Sequence, residues 1–166
     1  MTEQFHIAQL NVGKTHHPVE HPRMIGFTSR LAEINALAER TPGYVWRLQG
    51  ESGDATGIHV FDDPLIIVNL TVWESIERLY EFSYHTDHAE VFRLRRAWFE
   101  QWPGPHLVLW WIPAGTMPTL AEALARLERL AAEGPTPDAF TLKVRFPPPA
   151  ERSDAAGDAL PSTSGA

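Results

Sequence analysis

No cysteine occurs in the chain, which excludes disulfides, thiolate metal centres and cysteine nucleophiles. No apolar run approaches the ~20 residues that a membrane-spanning helix needs. Basic residues are scarce: 14 Lys and Arg stand against 21 Asp and Glu, for a formal net charge of −7. A nucleic-acid or anionic-membrane surface needs a clustered positive footprint, and this composition does not supply one. The opening Met1-Thr2-Glu3-Gln4 lacks the basic start and apolar stretch of a secretion signal. A cytoplasmic protein is the resulting expectation. No phosphate-cradling loop is present either, because the glycines between Gly50 and Gly57 lack both the strand-to-helix setting and the lysine. There is no G-x-S-x-G elbow, and no carboxylate pair marks one helix face. Nucleotide-dependent transferases and serine hydrolases therefore fit poorly.

What remains is a chain of 166 residues, 43% of them apolar, long enough for one domain with a sizeable core. Its end is different in character. From Pro147 to Ala166 the only large aliphatic residue is Leu160, too little apolar surface to offset the entropy of ordering. Residues 1–146 are expected to form a single domain and 147–166 a disordered tail.

The ordered part alternates between the two hydrophobic periods. Phe5 to Val12 alternates as a strand, and Met24 to Arg40 carries Met24, Phe27, Leu31, Ile34, Leu37 and Ala38 at helical spacing before Pro42-Gly43. Tyr44 to Leu48 reads as a strand. Leu65 to Trp73 is a near-continuous apolar run, as a strand covered on both faces would be. Glu74 to Tyr84 is helical. A break at His85-Thr86-Asp87 follows, then a second helical half from His88 to Gln101 with Asp87 as its cap. Leu107 to Ile112 is another two-faced strand. Thr119 opens an amphipathic helix that Gly134-Pro135 ends, and Phe140 to Phe146 reads as a last strand.

The order is β-α-β-β-α-β with an added C-terminal helix and strand, which is the ferredoxin-like α+β pattern. Its helices cover one sheet face. Since two of the strands are apolar on both faces, the other face needs cover, and a second copy of the sheet about a two-fold axis is the simplest source. A homodimer is expected on that ground.

Three strings carry a family likeness: NALAERTPGYVWRL, VNLTVWESIERLYEFSYHTDHAEVFRLRRAWFE and LVLWWIPAGTMPTLAEALARLERLAAEGPTPDAF. Together they resemble the bacterial domain of unknown function 3291, over about Phe5 to Pro149. The loop THHPVEHP departs from that family's pattern in being rich in histidine. The resemblance implies membership of the dimeric α/β-barrel superfamily, beside antibiotic-biosynthesis monooxygenases, haem-degrading enzymes, chlorite dismutase and muconolactone isomerase. It implies a dimeric barrel strongly and a chemistry weakly, because fold does not dictate function.

The candidate chemical groups are few. His85 and His88 lie three apart beside Tyr84, at a spacing that suits an acid/base pair or two ligands on one helix face; the alternative is ordinary helix-end chemistry. Trp46, Trp73, Trp110 and Trp111 come from three strands. Trp110 and Trp111, being adjacent, must face opposite ways. Trp73 and Trp111 are expected to share a face with Asn69 and Thr71, as aromatic wall or simply as core. Asn69 interrupts an apolar strand and so needs a partner or a ligand. Arg47 is placed to grip a carboxylate with both arms of its fork. His16, His17, Glu20 and His21 match no known metal spacing, and no metal is expected.

The leading expectation is a small-molecule enzyme similar to the cofactor-independent antibiotic-biosynthesis monooxygenases, acting on an aromatic or polycyclic substrate between the sheet and the broken helix. His85 or His88 would handle the proton, with Asn69 orienting an oxygen. Trp46, Trp73, Trp111, Arg47 and Tyr84 would bind substrate. No cofactor is implied, since the substrate carbanion supplies the electrons. Two alternatives stand beside it. One is a haem-binding or haem-degrading protein, in which the resemblance makes His85 or His88 the axial ligand. The other is a non-catalytic dimeric ligand-binding module.

Overall fold

A computed structural model of the chain describes residues 3–50, 56, 61–85 and 95–151. Four antiparallel strands make one sheet: β1 (Phe5–Lys14), β2 (Tyr44–Arg47), β3 (Ile66–Trp73) and β4 (Leu107–Pro113), in the order β2-β3-β1-β4. Helix α1 (Ile25–Arg40) joins β1 to β2, while α2 (Ile76–His85) and the single turn α3 (Arg95–Trp98) lie between β3 and β4. Helix α4 (Leu120–Glu133) follows β4. This is the expected ferredoxin-like α+β order. Residues 86–94, where the Asp87 cap and the first part of the second helical half were expected, lie outside the described residues.

Register explains the two-faced strands. Ile7, Gln9, Asn11 and Gly13 of β1 stand opposite Trp73, Thr71, Asn69 and Ile67 of β3, and Trp111 and Leu109 of β4 stand opposite Ile7 and Gln9. Because side chains alternate, these residues share one face. Ile34, Leu37 and Ala38 of α1 and Ile76, Leu79 and Phe82 of α2 pack against its apolar end. Ala8, Leu10, Val12, Val68, Leu70, Val72, Val108 and Trp110 form the other face, and all are buried.

That second face is covered by α4, which sets Ala123, Leu127 and Leu130 against it. At ~1.5–3 kcal/mol for each large aliphatic side chain taken out of water, this stripe needs no second copy of the sheet. The premise of the dimer expectation, an uncovered face, is thus corrected: the cover comes from the same chain. Helix α4 is well delimited, since Thr119 Oγ1 accepts from Glu122 N at 3.1 Å and Gly134, at φ 75°, donates to the Leu130 carbonyl at 2.9 Å.

The final strand is also corrected. Phe140 pairs with Leu109 through one isolated bridge, and then the chain turns, with Val144 N donating to Thr141 Oγ1 at 3.0 Å. The turn lays Phe146 over Trp111, whose Nε1 donates to the Phe146 carbonyl at 2.8 Å. Residues 147–151 continue in described structure, while 152–166 fall outside it.

Candidate functional site

On the α1 face the sheet and helix part near the middle of β1 and β3, leaving an open pocket of about 160 Å³. Its floor is Asn11 and Gly13 of β1, Ile67, Asn69 and Thr71 of β3, and Arg47 of β2. Phe27, Arg30, Leu31, Ile34 and Asn35 of α1 form one wall, and Phe82, Arg95 and Phe99 close the ends. Asn69 lies mid-strand, yet it is exposed. A residue at the centre of a sheet is exposed only when the space above it is empty.

Asn11 and Asn69 are direct cross-strand partners, so their Cβ atoms lie ~4.5–5.5 Å apart and two carboxamides stand side by side on the floor. Asn35 reaches the same space from α1. The chain contains three asparagines, and all three line this pocket. Each amide offers donors and an acceptor, so the floor can hold a carbonyl or phenolic oxygen while the walls take an apolar body.

Along the same sheet face, beside the pocket, a buried hydrogen-bond chain fixes the floor. Trp73 Nε1 donates to Thr71 Oγ1 at 3.1 Å, and Thr71 Oγ1 donates to Gln9 Oε1 at 2.7 Å. Gly13 is required by close approach, because a Cβ there would sit 2.8 Å from a ring carbon of Phe99.

Of the expected site residues, the pocket brings together Asn69 and Arg47. Arg47 is already engaged, with its Nε 3.0 Å from Glu39 Oε1. Trp73 lies outside the lining, stacked on Phe82 with centroids 5.0 Å apart and met edge-on by Tyr44. It supports the site indirectly through Phe82 and Thr71. Trp111 is held under Phe146, away from the lining. Trp46 is on the opposite face, packed against the α4 core: a bulge between Tyr44 and Trp46 leaves Trp46 paired with Val72 and Arg47 with Thr71. Tyr84 is exposed on α2, its ring 4.5 Å from that of Tyr80.

His85 ends α2 three residues after Phe82; its side chain and all of His88 lie outside the described residues. Among the described residues no imidazole lines the pocket. The histidine-rich loop is engaged locally. His21 Nδ1 accepts from Arg23 N at 3.1 Å, His17 stacks on His21 at 4.3 Å, and His16 Nε2 is 3.2 Å from the Arg96 carbonyl. No group of three potential ligands forms among the described residues.

Residues 6–156 match the family described as Domain of unknown function (DUF3291). The chain belongs to the DUF3291 family. Among curated proteins none matches. Solved structures similar to this DUF3291 chain include SnoaB, a cofactor-independent oxygenase from Streptomyces nogalater, at 18% identity and TM-score 0.43 over 72% of this chain and 98% of that one. A putative antibiotic biosynthesis monooxygenase from Nitrosomonas europaea is similar at 14% identity and TM-score 0.42, over 70% and 94%.

Asn11, Asn35 and Arg30 were not read as site residues from the DUF3291 sequence. The available signal was the rarity of asparagine together with the spacing Ile7, Gln9, Asn11, which continues one face of β1. No helix among the described residues is long and apolar enough to cross a membrane.

Proposed function

We propose that the protein is a small-molecule enzyme whose substrate is a flat aromatic or polycyclic compound seated in the sheet–α1 pocket, and that it acts as a cofactor-independent monooxygenase. The observation that carries the reading is the paired Asn11–Asn69 floor, open to a cavity with otherwise largely apolar walls. Such a site holds a ring system by burial and one oxygen by directed amide hydrogen bonds.

In this reading a ring CH2 whose anion is conjugated with a ring carbonyl loses a proton to His85 or His88, the groups the sequence offers as base. The Asn69 and Asn11 carboxamides donate to the enolate oxygen as charge builds there. The carbanion then reduces dioxygen. One oxygen atom enters the product as a new carbonyl and the other leaves as water, so the four electrons come from the substrate carbon alone.

Anthrone is a suitable probe, with oxygen uptake followed on an electrode against the uncatalysed rate. The expected result is one dioxygen consumed per anthrone converted, at a rate that falls at least ~10-fold in Asn69→Leu and in one of His85→Ala or His88→Ala. Uptake no faster than the uncatalysed rate, with anthrone still bound, contradicts the oxygenase reading.

A further inference from the structure

Among the described residues, the charges lining the pocket are all of one sign. Arg30, Arg47 and Arg95 contribute guanidinium groups, and no Asp or Glu is among the described lining residues. In a chain of net charge −7, a concave cationic patch is a departure from the average and a focus for anions. Glu39, outside the lining, balances Arg47 at 3.0 Å. Arg30 stands in the α1 wall and Arg95 at an end of the pocket. The position a Cβ would take on Gly13 is filled by the Phe99 ring, and Arg95 Nη2 lies beside it at 3.8 Å. The Arg95 guanidinium lies 5.6 Å from the centroid of the Phe99 ring, which also lines the pocket.

Burial works against the Arg95 charge and lowers its pKa. The same cation, added to burial, lowers the pKa of His106. A partly desolvated guanidinium gains most from an acceptor that carries a full negative charge. Five N–H donors in a fixed fork let each arginine hold a protein partner and a ligand together.

We infer that the pocket selects aromatic carboxylates, with the Arg30 and Arg95 guanidinium groups supplying the charge that holds the anionic end and the ring lying along Phe27, Leu31 and Ile34. This rests on the reading of the pocket as a small-molecule site, but not on the chemistry performed there.

The test compares naphthoate with its neutral isostere naphthylmethanol by isothermal titration on the full chain, in wild type, Arg30→Gln and Arg95→Gln. The expected result is naphthoate binding about tenfold or more tightly. That preference weakens between about 20 and 300 mM salt and falls to about threefold or less in either variant, while naphthylmethanol binds all three proteins alike. Arg30 is half-buried and stands on a different helix, so its variant tests the assignment should Arg95→Gln fail to fold. Equal affinities for the two compounds overturn the inference and leave the pocket standing. A preference unchanged in both variants overturns the assignment to these arginines. Failure of both compounds to bind overturns this inference and the pocket reading together.

Discussion

Thr71→Val is the substitution whose cost follows most directly from the structure. The two side chains are nearly isosteric, so packing is kept and only the hydroxyl is lost. That hydroxyl has two buried neighbours: it accepts from Trp73 Nε1 at 3.1 Å and donates to Gln9 Oε1 at 2.7 Å. Gln9, Thr71 and Trp73 are 6%, 7% and 1% exposed, so water does not replace the missing partner. Each stranded group costs ~1–3 kcal/mol, and the added methyl recovers less than ~1 kcal/mol of transfer energy. The sum over the two groups, less the methyl, is about 1–6 kcal/mol, a large share of a usual folding free energy of ~5–15 kcal/mol. At ~2–4 °C per kcal/mol for a chain of this length, Tm falls by about 2–24 °C. Urea denaturation should show the same loss in its midpoint with an unchanged slope. Thr71→Ser keeps the hydroxyl and should lose only ~1 kcal/mol. Adding Gln9→Leu to Thr71→Val removes one of the stranded groups, so the pair should be less harmful than the sum of its parts by ~1–2 kcal/mol. A Thr71→Val protein within ~0.5 kcal/mol of wild type, or one more stable than Thr71→Ser, refutes the claim that this chain of bonds supports the floor.

Three further outcomes are expected. Gly13→Ala puts a methyl 2.8 and 2.9 Å from two Phe99 ring carbons; calorimetry should record ~1–3 kcal/mol of overpacking, and ligand binding should weaken as the ring shifts. Thr119→Ala removes the cap on Glu122 N and should cost ~1 kcal/mol, read as a Tm lower by about 2–4 °C. Burial first, and the Arg95 charge second, hold the His106 pKa below its ordinary value. The unfolded chain therefore takes up this proton near pH ~6.5 while the folded one resists. Stability should decline as pH drops below that point, and His106→Gln should remove part of the slope between roughly pH 7.5 and 5.5. Parallel loss in both proteins contradicts this.

Much of the frame is legible in the chain itself. Near-continuous apolar residues from Ile66 to Trp73 state that both sheet faces are covered, and Asn69 stands out against them as a polar residue needing a reason. What covers the second face was not legible. The apolar stripe of α4 reads the same whether it packs on its own sheet or on a partner's, and only the path of the chain decides. Asn11 was obscure for a related reason: its meaning comes from its register opposite Asn69, a pairing no local pattern encodes. The tryptophans misdirect in the other sense. Trp46 and Trp111 have the chemistry of a ligand wall, but a bulge turns the first to the α4 face and the Phe146 segment covers the second. Aromatic identity fixes what a residue can bury, not which space it borders.

The central claim is that a small aromatic molecule rests on the asparagine floor of the sheet–α1 pocket. Asparagine-selective isotope labelling addresses it directly, because the chain's three asparagines all border that space. Naphthylmethanol and naphthoate, titrated in turn and followed by NMR, are expected to shift the side-chain amide signals of Asn11 and Asn69 saturably, with a single affinity for both residues. Saturable binding that leaves those signals in place, with the changes falling elsewhere in the protein, contradicts the account.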